Sequence, residues 1–143
     1  MGTCVYLAAR FSRKHELAAY ARELRRDGVT VSSRWHDGAH DWTGISDEAM
    51  PRAVQARFAQ EDLDDIDAAH ALLLFADPPG NEGTRGGAQF EAGYAYGMGI
   101  RLIVVSHRQQ VFCALPEVIF CPDPDSALAY VRGLTVRSNG RVV

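Results

Sequence analysis

Two uninterrupted apolar runs, Ala71-Leu72-Leu73-Leu74-Phe75-Ala76 and Leu102-Ile103-Val104-Val105, constrain this chain more than any other feature. Each has the length of a strand and lacks polar alternation, so both of its faces must be covered. Between them lie a Pro/Gly loop at 77–87 and a helix-forming stretch, Gln89-Phe90-Glu91-Ala92-Gly93-Tyr94-Ala95. Strand, crossover helix and strand make a right-handed unit with parallel strands. Glu91 is out of place in it. Its neighbours Phe90, Ala92, Gly93 and Ala95 are apolar or small. It is either a surface acid favoured by the positive end of the helix dipole or a reagent.

The rest of the chain repeats the alternation. Residues 3–8 (Thr-Cys-Val-Tyr-Leu-Ala) read as a buried first strand and 29–34 as a β-branched second one. A helix is predicted over 13–27, with Ser12 as N-cap, Leu17, Tyr20, Ala21 and Leu24 on one face, and Gly28 as its stop. Residues 35–46 form a long polar loop. Pro51 suits the first turn of a helix reaching 70, with Val54, Phe58, Leu63, Ile66 and Ala69 at helical spacing. Residues 106–115 read as a loop or short helix and 118–121 as a fifth strand. Asp123 or Asp125 caps a last helix through Leu128, Val131 and Leu134. The tail, 135–143, is expected to take its order from a partner chain.

A chain of 143 residues suits a single domain over 1–143. Its net charge of −3 recruits no nucleic acid polymer. No apolar run is long enough for a membrane. Three cysteines without ligand spacing, behind an N-terminus with no signal pattern, suit reduced thiols in the cytoplasm.

Five strands alternating with helices predict an α/β fold: a flavodoxin-like, doubly wound, five-stranded parallel sheet of order 2-1-3-4-5. Ligands bind such a sheet where the order reverses, outside the carboxyl ends of strands one and three. Tyr6, Arg10 and Glu91 should meet there. Tyr6 is a core aromatic or a group that orients a carboxylate. Asp62 sits in an acid run, 61–67, that otherwise reads as a solvated face; it lies one helical turn before Ile66. Gly86 and Gly87 end a loop whose backbone can approach a ligand at a helix start. That loop lacks the spacing of dinucleotide or P-loop motifs. Arg85, with Arg10 and Arg13, is suited to a phosphate. His36 and His40 match no zinc pattern, so no metal is assigned. Trp35 or Trp42 is placed in a plain loop or a lid stacking on a base.

These residues resemble the nucleoside 2-deoxyribosyltransferase family and the related nucleoside 5′-monophosphate N-glycosidases. The resemblance rests on Val5-Tyr6-Leu7-Ala8-Ala9-Arg10-Phe11, on Asp62 with Asp65-Ile66-Asp67-Ala68-Ala69-His70, and on Phe90-Glu91-Ala92-Gly93-Tyr94-Ala95 followed by Gly97-Met98-Gly99-Ile100-Arg101. It implies retaining attack of Glu91 at C1′ of a nucleoside, with Tyr6 orienting Glu91 and Asp62 managing a proton at the leaving base. If so, the pKa of Asp62 must lie above that of Glu91. Ala9, Arg10, Phe11, Ser12, Arg13, Trp35, Thr84, Arg85, Gly86 and Gly87 become the substrate-binding candidates. The transferases carry an aspartate six residues before the nucleophile, where this chain has Arg85. Together with Thr84, Arg10, Ser12 and Arg13, that favours a 5′-monophosphate over a nucleoside. No cofactor is implied; a homodimer or higher homo-oligomer is. The alternative is a non-catalytic module of the same fold that senses a nucleotide.

Overall fold

The computed structural model describes residues 2–40, 49–80 and 86–143. Strands β1 (Cys4–Ala8), β2 (Thr30–Val31), β3 (Ala71–Phe75), β4 (Arg101–Val105) and β5 (Val118–Cys121) form one parallel sheet in the order β2-β1-β3-β4-β5. This is the flavodoxin-like order expected from the sequence. Tyr6 pairs with Leu72, and Leu72 with Leu102. The central strands are buried on both faces, which is why they read as unbroken apolar runs.

Helices α1 (Lys14–Arg26) and α4 (Pro124–Arg132) pack together, as do α2 (Arg52–Asp67) and α3 (Gly87–Gly97). Leu17, Ala21 and Leu24 give α1 its buried stripe. Gly28, at φ 85°, lets the chain turn back so that the Val29 N–H reaches Leu24 O. Asp123 caps α4, accepting from the Ser126 N–H at 2.8 Å. Fully buried leucines such as Leu17, Leu72 and Leu73 each contribute about 1.5–3 kcal/mol.

Several boundaries differ from expectation, each for a local reason. Ser12 does not cap α1. It lies inside a 3₁₀ turn, Phe11–Arg13, closed by the Arg13 N–H on Arg10 O, and Arg13 takes the cap position. Pro51 is the extended N-cap of α2 and not its first helical residue. β2 stops at Val31: the Ser32 N–H still donates to Val5 O, but the next ladder donor, the Leu7 N–H, turns to a serine hydroxyl. Ser32 Oγ donates to Asp65 O at 2.7 Å, and Ser33 Oγ accepts from the Leu7 N–H. The tail is ordered within its own domain. Thr135 and Val143 exchange backbone hydrogen bonds, Val136 bridges Val142, and Val142 is buried in the core.

Candidate active site

α3 carries Ala88, Ala92 and Ala95 on its buried side, and Glu91 stands on the same stripe at helical spacing. Three alanines let this helix approach the sheet closely enough for Glu91 to reach β1. There the Tyr6 hydroxyl donates a hydrogen bond to Glu91 Oε2. Tyr6 is fully buried, in the middle of β1. Burial foremost, then the charges of Glu91 and Asp62, push its pKa far above the ordinary range, so the phenol keeps its proton and acts as donor. Burial raises the Glu91 carboxyl to about 7, and the Tyr6 hydrogen bond opposes that rise.

α2 supplies the second carboxyl. Phe58, Asp62, Asp65, Ile66 and Ala69 follow one helical stripe turned inward. Burial first, then the charges of Glu91 and Asp65, raise Asp62 to about 8. Asp62 Oδ1 is buried and, among the described residues, has no hydrogen-bond partner. Such an atom calls for a proton or a ligand. His40 Nδ1 lies 3.7 Å from it. The His40 ring stacks on Phe58 at 4.2 Å, and its Nε2 lies 3.1 Å from Glu61 Oε2. Burial lowers the His40 pKa, which favours the neutral ring. A neutral ring donating from Nε2 to Glu61 presents a bare Nδ1 to Asp62. Loop patterning gave no signal for His40 in this role.

Asp65 corrects the reading of the acid run as a solvated face. It is buried, accepts from the Arg34 backbone N–H, and is forked by the Arg34 guanidinium, with Nη2 2.9 Å from Oδ1. The same loop holds a Ser33–His36–Asp37 relay with serine-hydrolase spacing. Ser33 Oγ is 2.7 Å from His36 Nε2, and His36 Nδ1 is 3.1 Å from Asp37 Oδ1. Ser33 is fully buried, so the relay orders the loop and meets no substrate.

No protein-family profile matches the sequence. No curated protein matches it either. Solved structures do. A 2-deoxyribosyltransferase from the psychrotolerant bacterium Bacillus psychrosaccharolyticus superposes with a TM-score of 0.60 at 18% identity, over 92% of this chain and 91% of that one. The CMP N-glycosidase BcmB of Clostridium botulinum gives 0.54 at 18% identity, over 90% and 97%. The chain shares their fold.

The substrate-binding candidates divide. Arg10 and Asp77 follow β1 and β3 and pair across the switch point at 3.6 Å. Ala9 is buried beside them; Phe11 and Ser12 are exposed. Arg13 is committed to the fold. Its Nη1 donates to Phe75 O and Ala76 O, while Nε and Nη2 grip Glu16. Those bonds use most of its donors and pin α1 to the end of β3. Trp35 is no open lid: it is 5% exposed, and its Nε1 donates to Leu7 O at 2.7 Å. Gly86, left-handed at φ 85°, is the N-cap of α3, and Gly87 begins that helix exposed. Thr84, Arg85 and Trp42 lie outside the described residues. Among the described residues, no His, Cys, Asp and Glu side chains group to hold a metal ion, and no helix is long and apolar enough to cross a membrane.

The assembled geometry is a buried tyrosine donating to one carboxyl, with a second, higher-titrating carboxyl alongside. Near neutrality such a pair can hold one carboxylate and one carboxylic acid.

Proposed function

We propose that this chain cleaves the N-glycosidic bond of a (deoxy)nucleoside 5′-monophosphate, or of the nucleoside itself, by retaining chemistry on Glu91. The observation that carries the reading is the Tyr6–Glu91 hydrogen bond beside the unpartnered Asp62 Oδ1. A carboxylate oxygen of Glu91 attacks C1′, forming an ester as the bond from C1′ to the base nitrogen breaks. The Asp62 proton passes to the departing base. Asp62, now ionised, takes a proton from water as that water attacks C1′ and frees Glu91. A second base in place of water gives transfer. Two displacements at C1′ retain configuration. His40 Nδ1, 3.7 Å from Asp62 Oδ1, stands beside the acid without taking its proton, which stays available to the base.

The preference for a monophosphate is supported by Arg10, at the carboxyl end of β1, and by the glycines that open α3. The two fold neighbours are a 2-deoxyribosyltransferase and a CMP N-glycosidase, activities that fit the same chemistry. The test is chromatographic. Deoxynucleosides and their monophosphates are incubated with the protein, with and without a second free base. Free sugar phosphate identifies hydrolysis, and exchanged base identifies transfer. Release of no base from any of them, by folded protein, overturns the reading.

A further inference from the structure

We propose a second binding site, for a phosphate-bearing small molecule with an apolar body, at the end of the sheet opposite the carboxyl pair. A cavity of about 460 Å³ opens at the amino-terminal ends of β3 and β4. That volume is in the range of small-molecule pockets. β3 is five residues long, so roughly 17 Å of strand separates this cavity from the switch point.

The lining is basic on a chain of net charge −3. Arg101, Arg137 and Arg141 all border the cavity, and Glu117 is the one acidic side chain among the described residues that does. Each basic group keeps donors that an anion can take. The Arg101 guanidinium donates to Val142 O at 3.2 Å, which uses one of its five N–H groups and fixes the C-terminal hairpin as a wall. Arg137 has no acidic partner among the described residues. Arg141 meets Glu117 at 3.9 Å with both side chains 65% exposed, a pairing too weak to compete with a phosphate. His70 is fixed as a donor. Its Nδ1 accepts from the Cys4 N–H at 2.9 Å, so in the neutral ring Nε2 carries the proton. Met98, 58% exposed, and half-buried Ile100 also line the cavity. Guanidinium groups, an imidazole donor and an exposed thioether lining one cavity suit a phosphate joined to an apolar or flat group, as in a nucleotide. The chemistry proposed for Glu91 does not use this cavity, and the two stand or fall separately.

The experiment is an amide NMR titration of the full chain with inorganic pyrophosphate and, separately, with a ribonucleoside 5′-monophosphate. Shifts are expected at Gly99, Ile100, Arg101, Asn139 and Gly140. The nucleotide should also move Met98 beyond what pyrophosphate does. Arg137→Ala with Arg141→Ala should weaken this binding at least tenfold, with the remaining spectrum unchanged and any base release as in wild type. Glu117→Gln should tighten it several-fold. Shifts confined to the Ala9, Arg10, Gly86 and Gly87 amides, no shifts at all, or equal affinity in the double variant would overturn the site.

Discussion

Replacing Glu91 with Gln should stabilise this protein, but only above acid pH. Glu91 shares a buried stripe with Ala88, Ala92 and Ala95, and burial lifts its carboxyl from an ordinary 4.5 to about 7. Because the folded-state value is the higher one, the unfolded chain loses its proton first as pH rises. Between pH 4.5 and about 7 the unfolded state therefore binds fewer protons, and the folded protein loses stability across that window. The gap corresponds to about 3 kcal/mol, at about 1.36 kcal/mol per pKa unit. Gln carries no charge, and its amide oxygen still accepts from the Tyr6 hydroxyl. Glu91→Gln should therefore exceed wild type by about 3 kcal/mol at pH 8, and by less than about 1 kcal/mol at pH 5. At pH 8 this raises the melting temperature by roughly 6–12 °C. Urea unfolding followed by circular dichroism, on both proteins at both pH values, makes the comparison. Equal stability at pH 8, or the same gain at both pH values, would refute the claim that a buried charge sits at this position.

Four further outcomes follow from the same geometry. Asp62→Asn removes the proposed proton donor and should slow base release by about 10²–10⁴-fold, with less loss for a base that leaves without protonation; an equal loss for both kinds of base contradicts the role. The pH profile of kcat/KM should be a bell, with an acid limb near 7 from Glu91 and an alkaline limb near 8 from Asp62 as the pair's apparent values. Tyr6→Phe removes the hydrogen bond that opposes burial, so the acid limb should move to higher pH; an unmoved limb counts against Tyr6 as the orienting donor. Arg10→Ala should raise KM for monophosphates more than for nucleosides, and equal effects on both would remove the phosphate role.

What the sequence made legible follows from what is periodic in it. β3 and β4 are apolar throughout because both faces are covered, and Glu91 stood out as an acid on a stripe of alanines. Asp62 was reachable because it is spaced one turn from both Phe58 and Ile66. The same spacing puts Asp65 inside, yet a run of acids reads as solvated until Arg34, from a distant loop, is seen to neutralise it. His40 and Trp35 sit in a segment without period. Their positions depend on single hydrogen bonds and ring contacts, to Glu61, Phe58 and Leu7 O, that no local pattern encodes. Arg13 looked like a phosphate ligand because its charge is visible in sequence, whereas the carbonyls of Phe75 and Ala76 that occupy it are not. The serines after Val31 were strand-like by alternation, and their hydroxyls ended the strand.

The proposed chemistry depends on Glu91 as the nucleophile. Its most direct test is the base released by the Glu91→Gln variant, shown folded by its unfolding transition, against wild type under the same conditions. The expected result is release from deoxynucleoside monophosphate by wild type and a loss of at least ~10³-fold in the variant, in keeping with removal of a covalent catalyst. Wild-type release by the folded variant would contradict the account.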